Sequence, residues 1–189
     1  MGQDFGQGPI STGPLFDEAA RARDGGRVEA AIDQLMKGIT QAEGLYYRLV
    51  LVAAPSGGGK TRLLREVHRL TGAPLLNINL ELSRRMLDLT GRQRVLQLPG
   101  LLSEIVYEPK GNVVLLDNTE ILFDVELKQD PLRLLQGISR NKTVVAAWNG
   151  SVICDYLCYA TSAHQEYRRY EICDFLVVNL GTGASQPRG

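Results

Sequence analysis

The sequence predicts an α/β fold in three layers, a mainly parallel five-stranded sheet with helices on both faces. Three observations predict it. Apolar runs such as Val113-Val-Leu-Leu116 and Thr143-Val-Val-Ala-Ala-Trp148 read as strands buried on both sides, as parallel strands are. Between the runs, apolar residues recur at helical spacing, so strands alternate with helices. Finally, VLVAAPSGGGKTRLLREV (residues 50–67) joins an apolar strand, a glycine-rich loop and an amphipathic helix in one unit.

The elements follow in order. Residues 1–27 are rich in Gly, Gln and Pro without sustained periodicity and read as a loose arm. Val28, Ala31, Ile32, Leu35, Met36 and Ile39 then lie at helical spacing, with Gly44 as a stop signal. A first strand covers about Arg48–Ala53. The helix after the loop carries Leu63, Leu64, Val67 and Leu70 and ends at Gly72. Pro74–Leu80 is a short second strand, followed by a mainly helical stretch, Glu81–Tyr107, interrupted near Gly91 and near Pro99–Gly100. Pro109-Lys-Gly111 turns into a third strand, Asn112–Leu116. A helix over Pro131–Ser139 is capped by Asp130, with Pro131 suited to its first turn. Thr143–Trp148 is strand four, Ser151–Tyr170 is mixed, and Phe175–Leu180 is the last strand. One domain over 28–180 results, with a flexible tail over 181–189.

Composition excludes several classes. Lys+Arg and Asp+Glu both number 21, so no global basic field points to nucleic acid, and any DNA contact is local or made through a partner. No apolar stretch approaches the ~18 residues of a membrane span, and no signal segment opens the chain, which predicts a cytoplasmic protein with no membrane partner. Cys154, Cys158 and Cys173 have no CxxC spacing and only two histidines accompany them, which argues against zinc. Buried free thiols in a reducing compartment are expected instead.

Ala54–Thr61 fits the phosphate-binding loop pattern, with Ala54 in place of the first glycine. Glycines at 57, 58 and 59 let successive backbone N–H groups turn inward around phosphate oxygens, and the following helix adds the positive end of its dipole. Lys60 can reach the outer phosphates, and the Thr61 hydroxyl can ligate magnesium. The predicted nucleotide-binding residues are Pro55, Ser56, Gly57, Gly58, Gly59, Lys60, Thr61 and Arg62. An ordinary glycine-rich turn would not require Lys-Thr at its exit.

Asp117 ends an apolar strand at the ligand-bearing edge of the sheet and is predicted to hold magnesium with Thr61, through water; a solvated strand-end aspartate is the plainer alternative. Many ATPases with an extra strand between these two motifs place a glutamate directly after the aspartate, to activate the attacking water. Asn118 stands there, and an amide can orient water but cannot take its proton. Glu120 is a candidate base or else a surface acid. Asn149 at the end of strand four is either a polar sensor of the terminal phosphate or part of an Asn-Gly turn. Arg168 and Arg169 precede the last strand, where an arginine in AAA+-type ATPases enters a neighbouring subunit's site; a solvated pair, or an ion pair with Glu166 or Glu171, is the alternative. Arg140 is a weaker candidate for that duty. Arg84, Arg85, Arg92 and Arg94 give the insertion local positive character, either for phosphates or an acidic partner or as a solvated helix face.

APSGGGKT, VVLLDNTEILFD, DPLRLLQGISRNKTVVAAWNG and HQEYRRYE together resemble BrxF, the small P-loop protein of type 3 BREX bacteriophage-exclusion systems. The similarity spans about residues 28–180. It implies a bacterial or archaeal cytoplasmic protein working beside a larger ATPase, a methyltransferase and other phage-defence components. DNTEILF also resembles a region of replication-initiator ATPases, which implies an AAA+-like core. With no helical lid and no second sensor arginine after the last strand, such a core depends on neighbours to complete its site. The expected function is ATP and Mg2+ binding by a homo-oligomer, with slow or partner-dependent hydrolysis. A non-hydrolysing, nucleotide-gated adaptor and a small P-loop nucleotide kinase are the alternatives. ATP versus GTP and direct DNA contact stay open.

Overall fold

The computed structural model describes residues 15–160 and 163–181, the backbone alone for 15–25. It contains helices α1 (Leu15–Ala42), α2 (Lys60–Thr71), α3 (Ile78–Arg85), α4 (Gly91–Tyr107) and α5 (Pro131–Ile138). The strands are β1 (Leu49–Ala54), β2 (Leu75–Asn77), β3 (Val113–Asp117), β4 (Thr143–Ile153), β5 (Tyr156–Tyr159), β6 (Arg168–Glu171) and β7 (Leu176–Asn179). Five strands are parallel, in the order β2-β3-β4-β1-β7, and β5 and β6 extend the outer part of β4 as antiparallel neighbours.

Alternation along the strands explains the layers, because successive side chains leave a sheet on opposite faces. Leu49, Leu51 and Ala53 of β1 join a core with Ile78, Leu82, Leu98, Leu102 and Leu135 of α3–α5. Val50 and Val52 join the opposite core with Leu35 and Ile39 of α1 and Leu64 and Val67 of α2. Both faces of the parallel sheet are therefore dry, which is why its strands read as unbroken apolar runs.

Several predicted boundaries move. The α1 helix starts at Leu15, inside the predicted loose arm. The Ala, Arg and Glu of this stretch favour helix without providing an apolar stripe, and burial begins only around Leu35. Residues 1–14 of that arm, and 182–189 of the tail, lie outside the described residues. The second strand stops at Asn77, whose side chain accepts the Leu80 N–H at 3.0 Å and starts α3 instead. Gly91 does open α4, behind a Thr90–Gln93 capping box, but Pro99 and Gly100 do not interrupt it. The proline removes the N–H that would serve Val95 O, and the Gln129 side-chain amide donates to that carbonyl at 2.9 Å. The Asp130 cap holds, accepting from Arg133 N at 2.9 Å. The mixed region after strand four is the β4–β5–β6 antiparallel extension. Of the three cysteines only Cys158 is buried; Cys154 and Cys173 are exposed, contrary to the expectation of buried thiols.

The insertion's arginines are largely engaged within the chain. Arg85 meets Glu104 at 3.3 Å and Glu108 at 2.7 Å, Arg84 meets Glu81 at 3.7 Å, and Arg94 Nε donates to Leu89 O at 3.0 Å. Among the described residues no helix is long and apolar enough to cross a membrane.

Candidate functional site

Strand β1 enters the sheet between β4 and β7 and ends at Ala54, where the chain leaves as Pro55–Gly59 before α2 begins at Lys60. Gly59 holds φ +86°, a left-handed conformation that strains any side-chain-bearing residue. Gly58 has a different reason. A Cβ there would lie 2.7 Å from Ala54 Cβ and 2.9 Å from Pro55 O, so the loop closes only without one.

Lys60 is buried at the centre of this turn, 7 % exposed. Its Nζ donates to Ala54 O and Pro55 O at 2.8 Å each and to Asn149 Oδ1 at 2.7 Å. Burial pushes the ammonium below its usual pKa, while the charges of Glu120 and Asp117 pull it back up. Lys60 therefore sits in a polar, negative hollow with three acceptors.

The next residue on α2, Thr61, donates its hydroxyl to Asp117 Oδ1 at 3.2 Å. Asp117 ends β3 and is 7 % exposed. A hydroxyl and a buried carboxylate this close are hard oxygen donors, suited to magnesium completed by waters and phosphate oxygens. Strand β4 lies between β1 and β3, so the loop and the aspartate face each other across an intervening strand.

Asn149 takes its place from register: it pairs with Ala54, at the mouth of the loop. Strand β4 continues through Asn149 and Gly150 to Ile153, so these residues form no Asn-Gly turn. Asn118 has φ 53°, and its carbonyl accepts the Asn79 N–H at 3.0 Å. The Thr119 hydroxyl donates to Ala147 O at 2.6 Å and ties the segment after β3 to β4. Glu120, half-buried in the 3-10 turn Thr119–Phe123, is near enough for its charge to act on Lys60.

Arg168 and Arg169 are placed elsewhere, on β6. Arg168 Nη1 donates to Tyr167 O at 2.9 Å, and the Arg169 guanidinium lies 3.7 Å from the Tyr156 ring centroid. Among the described residues neither forms an ion pair with Glu166 or Glu171. Arg140, before β4, lies over Tyr46 and Tyr47 at 5.6 and 6.0 Å.

Two cavities flank the loop. One, of about 550 Å³, is walled by Gly57–Gly59, Arg62 and Leu63 on the loop side and by Val28, Ala31 and Leu180 opposite. The other, of about 420 Å³, lies between Pro55, Ser56 and Asn149 and the residues Tyr159, His164 and Glu166. Of the predicted loop residues, Gly57–Gly59 and Arg62 line the first cavity, Ser56 the second and Pro55 both, while Lys60 and Thr61 line neither. Sequence reasoning missed the walls opposite the loop. The helical spacing from Val28 marked an apolar stripe but not its use, and nothing local marks Tyr159 or Glu166 as neighbours of a loop a hundred residues earlier.

No protein-family model matches the chain, and no curated protein matches it.

Proposed function

We propose that the chain is an ATP-binding P-loop protein with an AAA+-like core. One observation carries the reading: a lysine buried in a glycine-walled turn, with a hydroxyl–carboxylate pair beside it on α2 and β3. The side-by-side arrangement of Lys60 and of Thr61 with Asp117 is what a magnesium–triphosphate needs. In this reading loop N–H groups of residues 57–59 hold phosphate oxygens, and the Lys60 ammonium leaves the carbonyls of Ala54 and Pro55 to meet the outer phosphates. Thr61 and Asp117 would hold Mg2+. The magnesium would neutralise charge on the phosphates, and Asn149, released from Lys60, would contact the terminal one. The 550 Å³ cavity takes the nucleoside, its base against Val28, Ala31 and Leu180.

Strand order supports the ATPase branch. The Asp117 strand is separated from the loop strand by β4, the arrangement with an extra strand between the two motifs. With the resemblance to BrxF, this supports a cytoplasmic, nucleotide-dependent component of a BREX-type anti-phage complex, beside a larger ATPase. Hydrolysis would be slow or partner-dependent, in a homo-oligomer where Arg168 or Arg169 serves a neighbour's site. The engaged carbonyl and left-handed backbone of Asn118, where a catalytic carboxylate would be sought, favour as second reading a nucleotide-gated adaptor that scarcely hydrolyses.

The test is thermal. Magnesium–ATP at 100 times its Kd stabilises the fold by about 2.7 kcal/mol, on the order of 5–10 °C for a chain of this size. Lys60→Ala removes that shift while keeping the fold. A shift unchanged in Lys60→Ala overturns the assignment of the loop.

A further inference from the structure

Pro55 lines both cavities. With a nucleoside in the larger one, the phosphates would run along Gly57–Gly59 and the last of them would end by Pro55, Ser56 and Asn149. Phosphoryl transfer is in line, the attacking oxygen arriving opposite the leaving one. Its approach then comes out of the 420 Å³ cavity, whose far wall carries a carboxylate, Glu166.

We propose that Glu166 is the general base for cleavage of the terminal phosphate, an assignment that rests on the ATP-binding reading above. The Glu166 carboxylate takes a proton from water as the water oxygen bonds to the terminal phosphorus. The bond from that phosphorus to the bridging oxygen breaks, its electron pair leaves on ADP, and the proton passes from Glu166 to solvent. Inorganic phosphate and ADP are the products.

Three features prepare Glu166 for this. It is half-buried, and Tyr159 stands with it in the wall of the same cavity. Tyr159 is itself held rigidly: its ring stacks on Phe123 with centroids 3.5 Å apart, and it is 7 % exposed. The Glu166 N–H donates to His164 Nδ1 at 3.2 Å, which fixes the turn. Among the described residues no lysine or arginine pairs with the carboxylate; only His164 Nδ1 comes within ion-pair range, at 4.0 Å. Glu120, the acid nearest to hand in sequence, is not part of this cavity's wall. The base would come from the antiparallel extension, where the position after Asp117 offers only an amide.

Phosphate release from magnesium–ATP, measured with the full chain at high concentration, decides the matter. Glu166→Gln is expected to slow turnover about 100-fold or more while MgATP affinity stays within about twofold. Formate, a small diffusible carboxylate, is expected to restore part of the rate to Glu166→Ala, which no loss of fold would permit. A wild-type rate in Glu166→Gln overturns the assignment, as does loss of MgATP binding in that variant with no formate rescue of Glu166→Ala. Wild-type protein that binds MgATP yet never releases phosphate also overturns it, leaving the nucleotide site intact. Wild-type protein that binds no MgATP removes the nucleotide reading itself.

Discussion

From Thr143 to Trp148 strand β4 is buried residue after residue; from Asn149 to Ile153 it is half-buried or exposed. The first half lies between parallel neighbours β1 and β3, with helices on both faces. From Gly150 on, the strand has left those neighbours and pairs with β5, antiparallel. One strand therefore belongs to two structures: a dry, doubly covered sheet and a partly exposed antiparallel extension. The change falls at Asn149, beside Lys60. Parallel strands end there together, so backbone and side chains of several strands open onto one edge, where a ligand can be held by a rigid base. The extension then builds a wall beyond that edge.

If the two halves differ in this way, substitutions should cost differently in each. The largest effect is expected for Leu51→Ala, in the fully buried β1 strand, at about 2–5 kcal/mol; Val152→Ala in the extension should cost less than about 1.5 kcal/mol. Urea titration of both variants checks this, and equal losses would break the comparison. Next is Gly150→Ala. A Cβ there would meet Cys158 O at the β4–β5 crossing and lie 3.1 Å from Trp148 Nε1, so β5 must shift. The expected cost is about 1–3 kcal/mol. Because Trp148 Nε1 donates to Cys158 O at 3.1 Å and is the sole tryptophan, its fluorescence reports the opening directly.

Alkaline titration separates the halves by sign. Burial pushes the Tyr159 phenol on β5 up to about 12 from 10.0, and burial with the Asp130 charge raises Tyr170 on β6 as well. Between pH 10 and about 12 the unfolded chain ionises these phenols first and binds fewer protons, so their contribution is intact below 10 and lost as pH rises through the folded values. Lys60 and Lys142 in the parallel half do the reverse. Burial lowers both from 10.5, the folded chain sheds these protons first, and stability rises as pH climbs toward 10.5. Tyr159→Phe/Tyr170→Phe is expected to reduce the high-pH loss by about 1–3 kcal/mol, read from denaturant midpoints across that range. The smallest effect is Thr119→Val, which removes one buried hydroxyl bond between the segment after β3 and β4, about 1 kcal/mol by the same measurement.

The parallel half was legible in the sequence because its signals are local. Four apolar residues before Asp117, an Asp130-Pro131 helix start and SGGGKT each act within a few residues. What went unread depends on distant partners. Pro99 stays inside a helix because Gln129 serves its orphaned carbonyl, Asn149-Gly150 stays extended because β5 pairs with it, and Glu166 reaches the loop's second cavity only through the β5–β6 connection. The start of α1 was missed for another reason: helix-forming residues without an apolar stripe leave no periodic trace.

By itself, then, the sequence determined where a buried strand gives way to a glycine-rich turn and a helix, since an apolar run, the glycines and the helical spacing after them act locally. Tertiary structure alone decided what surrounds it. Burial gave Lys60 its acceptors, register brought Asn149 to Ala54, and the antiparallel extension supplied a second cavity with its own carboxylate. Such pairings join residues far apart in the chain, and only the free energy of the packed whole selects them.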